Sequence, residues 1–204
     1  MKTFIVELWA NILGVLSCIS LFRIINIIFP STRGNNGFVE IWVIGNLFAS
    51  IVLLYISSAC NIRWWEIVIL IYAGSRIFEI IIYQTIIILF GMILRGYERS
   101  VTLVIGNALE ILIWFAIFYR NFDYLFISKY IQLNTFFGSI YYSLVTMSTL
   151  GYGDIVPKNY YALYIIIPQT LIGIFIAIII LARFISFLPK PGTFDKCEKK
   201  PKND

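Results

Sequence analysis

The chain has no histidine, which removes the commonest general base and the commonest metal ligand from its 204 residues. Charge is scarce as well: Asp, Glu, Lys and Arg together make up 13%, where a soluble globular domain carries about 25%. The 11 carboxylates are scattered without metal-like spacing, so acid–base and metal-assisted catalysis both lack their usual parts. No enzyme activity and no small-molecule substrate are expected. Cysteine is nearly missing too, and Cys18, Cys60 and Cys197, an odd set with no CxxC, read as packing residues. The net charge is +5, and five of the 16 basic residues, Lys190, Lys196, Lys199, Lys200 and Lys202, cluster near the C-terminus, where they suit anionic lipid headgroups better than nucleic acid.

What fills the chain is hydrocarbon: 60% of residues are hydrophobic and the mean hydropathy is +0.86. The apolar residues come in blocks about as long as the ~20 residues that cross a bilayer core of about 30 Å, closed by Arg, Lys, Asn, Gly or Pro. Five blocks, at 4–29, 38–59, 64–94, 101–119 and 160–188, read as transmembrane helices, so the fold class is an all-α membrane protein. The first is not expected to be a cleaved leader, because Glu7 and Asn11 interrupt it early and no small-x-small cleavage pattern follows at a suitable distance. The third would reach about 46 Å as one helix. A break at Gly74-Ser75 is the alternative, giving four helices before residue 95 instead of three, but its first piece is too short to span, so one long tilted helix is preferred. The expected units are an N-terminal helical bundle over 1–95, a second helical unit over 96–188 and a basic tail over 189–204.

Between the fourth and fifth blocks lies the informative stretch. Asn134 or Thr135 can cap a helix over 135–148 that is too short to span and must turn back inside the membrane. Irregular backbone at that depth survives only where it lines a pore or is buried in protein. Here the irregular segment is Thr149-Leu150-Gly151-Tyr152-Gly153, followed by Asp154. Aiming successive carbonyls to one side of a strand requires positive φ at alternate residues, which Gly151 and Gly153 accept without a Cβ clash. A ring of such carbonyls can replace the water of a dehydrated cation such as K⁺, with the Thr149 hydroxyl adding an oxygen layer at the inner end. The short helix would point the negative end of its dipole at the same place, and Asp154 would concentrate cations at the outer mouth and brace the loop.

The run Tyr141-Tyr142-Ser143-Leu144-Val145-Thr146-Met147-Ser148-Thr149-Leu150-Gly151-Tyr152-Gly153-Asp154-Ile155-Val156-Pro157 resembles the pore signature of the tetrameric potassium channel family. The resemblance implies an outer helix over 101–119, a pore helix over 135–148, a selectivity filter over 149–153 with K⁺ held at Thr149, Leu150, Gly151 and Tyr152, and an inner helix over 160–188. Leu150 stands where the family most often has valine, a position that gives its carbonyl rather than its side chain. Tyr142, Val145, Thr146 and Asp154 fall where the family supports its filter, and Tyr141 joins Tyr142 as an aromatic cuff. Gly173, with Pro168 as a kink site, falls near the family's hinge, and Ile174, Ala177, Leu181 and Ile185 fall on the pore-facing stripe, where apolar rings could close the pore by dewetting.

A single filter strand per chain implies a homotetramer, and the expected partners are therefore other copies of the chain and membrane lipid. Apart from the permeant K⁺, no cofactor is expected. The alternatives are a non-conducting sensor or assembly subunit on the same fold and a potassium uptake transporter, the latter disfavoured because such pores join four repeats in one chain. The expected location is the plasma membrane with a cytoplasmic C-terminus. Arg33, Arg95, Arg99 and the tail lysines then lie inside, against Lys2, Arg63, Arg120, Lys129 and Lys158 outside, a mild positive-inside bias that leaves the side of the N-terminus open. About 16 residues follow Leu188, too few for a ligand-binding regulatory domain, so gating is expected to come from the pore, lipid, a partner or the N-terminal helices. No helix carries a voltage sensor's repeat of basic residues, since Arg76 is followed at the third position by Glu79. Those two, with Glu110 and the face of Glu7, Asn11, Gly14 and Cys18, are read as a polar seam that joins the N-terminal bundle to the second unit, with a proton or ligand sensor as the alternative.

Overall fold

The computed structural model describes residues 8, 11–15, 20, 36–59, 63–90 and 97–187. Most of the first expected span and all of the tail, including Glu7, Cys18 and Cys197, lie outside the described residues, as does Cys60. Helix α1 is Asn36–Ala59, α2 Arg63–Phe90 and α3 Tyr97–Asn121. A 3-10 turn over Asp123–Leu125 leads into strand β1, Phe126–Ser128. The short helix α4, Phe136–Met147, is followed by strand β2, Ile155–Pro157, and by the long helix α5, Tyr160–Phe187.

Three helical stretches are long and apolar enough to cross a membrane, Gly37–Ser58, Arg99–Asn121 and Tyr160–Ile185, whereas α4 is too short. The fold is therefore that of a multi-pass membrane protein, mostly helical. Helix α2 passes Gly74 and Ser75 without a break and equals α5 in length, at 28 residues each. Helix α5 likewise continues through Pro168. Helix α3 extends beyond the apolar run 101–119 at both ends, because Glu98, Arg99 and Ser100 are compatible with a helix even though they lower its hydropathy. Its added first turn is anchored by an ion pair from Arg99 to Glu40 of α1 at 2.6 Å.

Helix α3 is the hub, packed against α1, α2, α4 and α5. Ile111, Trp114, Ala116, Ile117 and Tyr119 along it are wholly buried, while α1 and α5 turn rows of Ile, Leu and Phe outward, as lipid requires. Strands β1 and β2 pair antiparallel, Phe126 opposite Pro157 and Ser128 opposite Ile155, tying the end of α3 to the segment after residue 153.

A buried ionic cluster fastens α2 to α3. Arg76 bonds Glu79 one turn along its own helix and grips Glu110 of α3, with Nε and Nη2 at 3.0 and 2.9 Å from Oε1. Trp114 Nε1 donates to the same Glu110 oxygen at 3.0 Å, the guanidinium lies 5.3 Å over the Trp42 ring of α1, and the Ser20 hydroxyl donates to Glu79. Arg76, Glu79 and Glu110 are all at most 3% exposed. A charge taken out of water is tolerable when its partners are in place and very costly when one is removed. Arg76→Ala, which strands two carboxylates, should therefore lose about 3–5 kcal/mol in unfolding followed by tryptophan fluorescence in detergent micelles. The triple variant Arg76→Leu, Glu79→Gln, Glu110→Gln should recover most of that loss.

Candidate functional site

The site is assembled at the C-terminus of α4. Thr135, rather than Asn134, caps the start of this helix: its backbone is extended and its hydroxyl accepts from the Gly138 N–H at 3.1 Å. The other end closes as a Schellman turn. The Leu150 N–H reaches back to the Val145 carbonyl at 3.0 Å, and the Thr149 N–H to the Thr146 carbonyl at 3.1 Å. Ser148 adds a bond from its N–H and another from its hydroxyl to the Leu144 carbonyl, at 2.9 and 2.7 Å. Carbonyls that would otherwise be stranded at the end of an apolar helix are thus satisfied before the chain leaves it.

The Schellman turn needs a left-handed residue at Thr149, whose φ is +59°. Glycine usually takes that place, and a side chain there costs about 1–2 kcal/mol. Sequence reasoning assigned positive φ to Gly151 and Gly153 and missed Thr149. The structure gives φ of +56° at Gly151 and +75° at Gly153, while Leu150 and Tyr152 stay at negative φ. Handedness therefore alternates residue by residue from 149 to 153, the pattern that brings successive carbonyls to one side instead of opposite sides. A Cβ built on Gly151 or Gly153 would meet nothing within 4 Å, so in the single chain glycine is required by the backbone angle and not by crowding. Residues 148–153 are all exposed.

Behind them the wall is dense. Val145 and Tyr142 are buried, and Thr146 is partly so. The Tyr142 ring meets Tyr119 edge-on at 4.7 Å and Phe126 at 5.4 Å, so it faces α3 and β1. The direct brace comes from Tyr141, whose hydroxyl donates to Asp154 Oδ2 at 2.6 Å. Asp154 Oδ1 accepts from the Ile155 N–H at 3.1 Å, and its carbonyl accepts from the Lys129 N–H at 3.2 Å. Asp154 thereby joins the end of the irregular segment to α4 and to the β ribbon.

Two further residues escaped sequence reasoning. Gln169 of α5, wholly buried, donates through Nε2 to the Ser143 carbonyl and hydroxyl at 2.9 and 2.7 Å, and the Ser143 hydroxyl donates on to the Leu112 carbonyl at 2.6 Å. One polar clasp thus links α5, α4 and α3. The signal was present, since an amide inside the run Ile165-Ile166-Ile167-Pro168-Gln169 must find a partner.

On α5, Gly173 is buried against the end of α4, and a Cβ there would lie 2.5 Å from the Met147 carbonyl oxygen. Its evident role is close approach between two helices. Ile174, Ala177, Leu181 and Ile185 are exposed along α5, spaced by three or four residues. Pro168 instead borders a groove shared with Gly74 and Phe78 of α2 and Phe115 of α3. Among the described residues, no three His, Cys, Asp or Glu side chains come together as a metal-binding group.

Residues 108–190 match the model of a family described as ion channels, a stretch that takes in most of α3, all of α4, the β ribbon and α5. No curated protein and no solved structure matches the chain.

The contact at Gly173 can be tested by substitution. Gly173→Ala forces a Cβ onto backbone that cannot turn aside, and should destabilise the protein by about 1–3 kcal/mol in micelle unfolding. Ile174→Ala, at the exposed neighbour, should cost less than half as much.

Proposed function

We propose that the chain is one of four identical subunits of a potassium-selective channel, passing K⁺ passively down its gradient across the plasma membrane. The observation that carries this reading is the alternation of handedness at Thr149, Gly151 and Gly153, directly after the C-terminus of a half-length membrane helix. Strain at a non-glycine residue is kept where surrounding structure over-determines it, commonly at functional sites. Here the Thr149 hydroxyl supplies an oxygen that glycine could not.

In the tetramer the carbonyls of Thr149, Leu150, Gly151 and Tyr152 form stacked rings that replace the hydration shell of K⁺. The exposure of 148–153 on the single subunit suits a surface turned to a shared axis. Negative helix ends from four copies of α4 stabilise the cation below the rings. The Tyr141–Asp154 bond holds the rings at a fixed spacing, and the Asp154 carboxylates raise cation concentration at the mouth. Below, the apolar stripe through Ile174, Ala177, Leu181 and Ile185 lines the pathway, and rings of Leu181 or Ile185 close it by dewetting. With C-termini on the cytoplasmic side, this constriction is the inner gate.

Purified protein in liposomes should release K⁺ at least about a hundredfold faster than Na⁺, a discrimination of about 2.7 kcal/mol. Gly151→Ala, which forces a side chain into left-handed backbone, should abolish that flux while leaving the helical circular dichroism unchanged. Equal K⁺ and Na⁺ release by the unaltered protein would refute selectivity. Leu181→Asn, which wets the constriction, should raise resting K⁺ flux several-fold; an unchanged resting flux would count against the gate.

A further inference from the structure

Away from residues 148–154, a cavity of about 330 Å³ lies between α1, α2 and α3 and is also lined by Arg183 of α5. The surface it presents is largely apolar, with Ile80 and Ile87 from α2 and Leu103 and Val104 from α3, although Tyr83 and Asn107 also line it. Gln84 and Ser100, which are only 4% and 3% exposed, also line it. Neither the Gln84 Oε1 nor the Ser100 Oγ has a hydrogen-bond partner among the described residues. A buried polar atom left unmet costs about 1–3 kcal/mol, so two around one cavity point to an occupant that meets them.

Size and charge narrow its chemistry. At about 30 Å³ each, waters alone would number about ten, and each needs two to four polar partners, more than so apolar a surface offers. One molecule with an apolar body and few polar groups fits a pocket of this volume better. The charged groups on the wall are of both signs, Glu79 with Arg76 and Arg183, and Arg76 is already bound to Glu79 and Glu110, so neither an anion nor a cation meets a surface of one sign. The unmet atoms are uncharged, an amide oxygen and a hydroxyl.

We propose that this cavity is a binding site for a single uncharged amphiphile drawn from the bilayer. Its hydroxyl or amide N–H donates to Gln84 Oε1, and its apolar body fills the space between α2 and α3. Because Arg183 stands between Leu181 and Ile185 on α5, occupancy biases the inner helix. That last step rests on the channel reading; the binding step does not.

The test uses the full-length protein in phospholipid nanodiscs, photolabelled with a diazirine-bearing octan-1-ol and mapped by peptide mass spectrometry. Adducts at the lining residues Ile80, Gln84, Ile87, Leu103 and Val104 should saturate and be displaced by octan-1-ol, with octane at least about tenfold weaker as a competitor. Gln84→Leu, which removes the acceptor, should erase the preference for octanol, and Ser100→Ala should weaken it. Val104→Phe, which fills the cavity without touching its polar groups, should abolish saturable labelling. Labelling that rises linearly and spreads equally to the outward-facing Ile105 and Leu109 would overturn the site. Octane matching octanol in the unaltered protein would overturn the chemistry. Potassium flux from the same preparations separates the two readings: saturable labelling with no selective flux defeats the channel and leaves the site standing. Selective flux that octanol does not alter at saturating labelling defeats the coupling through Arg183.

Discussion

Backbone that leaves a helix inside a bilayer must satisfy its own polar groups, because no water is there to do it. The turn at the end of α4 meets that demand by returning the N–H groups of Ser148, Thr149 and Leu150 to carbonyls of the last turn. Much of the surrounding structure can be understood as support for this turn. Helix α3 is the apolar wall behind α4, Gln169 and Ser143 lock α5 to that wall, and Asp154 with the β ribbon fixes the far end of the irregular segment. Without these ties the left-handed residue at 149 would have an easier alternative. With them, its strain becomes a fixed property of the site.

The contact of Gly173 with Met147 changes how movement of α5 must be pictured. A glycine in a membrane helix can serve bending or close packing, and here a backbone carbonyl occupies the space that a side chain would need. Movement of α5 toward α4 at this level therefore presses on Met147, directly before the segment that begins at Ser148. In the channel reading, opening below and the geometry of the ion-binding rings are mechanically joined at this point. A hinge that left the rings undisturbed would have to lie further along α5, toward Ala177.

Much of the layout was legible in the sequence because lipid imposes a coarse and strong rule on hydropathy. Helix α4 stood out by being too short to span, and Gly151 and Gly153 stood out because alternate glycines have few other uses. Thr149 did not, since its left-handed backbone comes from the hydrogen bonds of the helix end, which no single residue type announces. The period of two did contain it: alternation read backward from 153 and 151 arrives at 149. The β ribbon escaped because three-residue strands are below any periodic signal, and α3 was drawn too short because hydropathy penalises the charged turn that Arg99 and Glu40 make stable. The pairing of Arg76 with Glu79 was readable from their spacing. The grip on Glu110 was foreseen only as a general seam between the two halves.

That seam also shows why α2 carries so much polarity for a helix between apolar neighbours. Had its task been adhesion alone, aliphatic packing would serve as well, and buried ion clusters are often no more stable than the apolar residues that could replace them. Around Arg76 the polar groups are closely met by Glu79, Glu110, Trp114 and Ser20. Two turns further along, Gln84 is not met, and Ser100 across the cavity is not met either. One helix thus holds an ion cluster that fixes its position and, beside open space, one amide oxygen with no partner among the described residues. The first makes the second possible: only a helix held rigidly by its ion cluster can keep a cavity open beside it, because a loosely held one would collapse into the space and bury its amide against the nearest carbonyl.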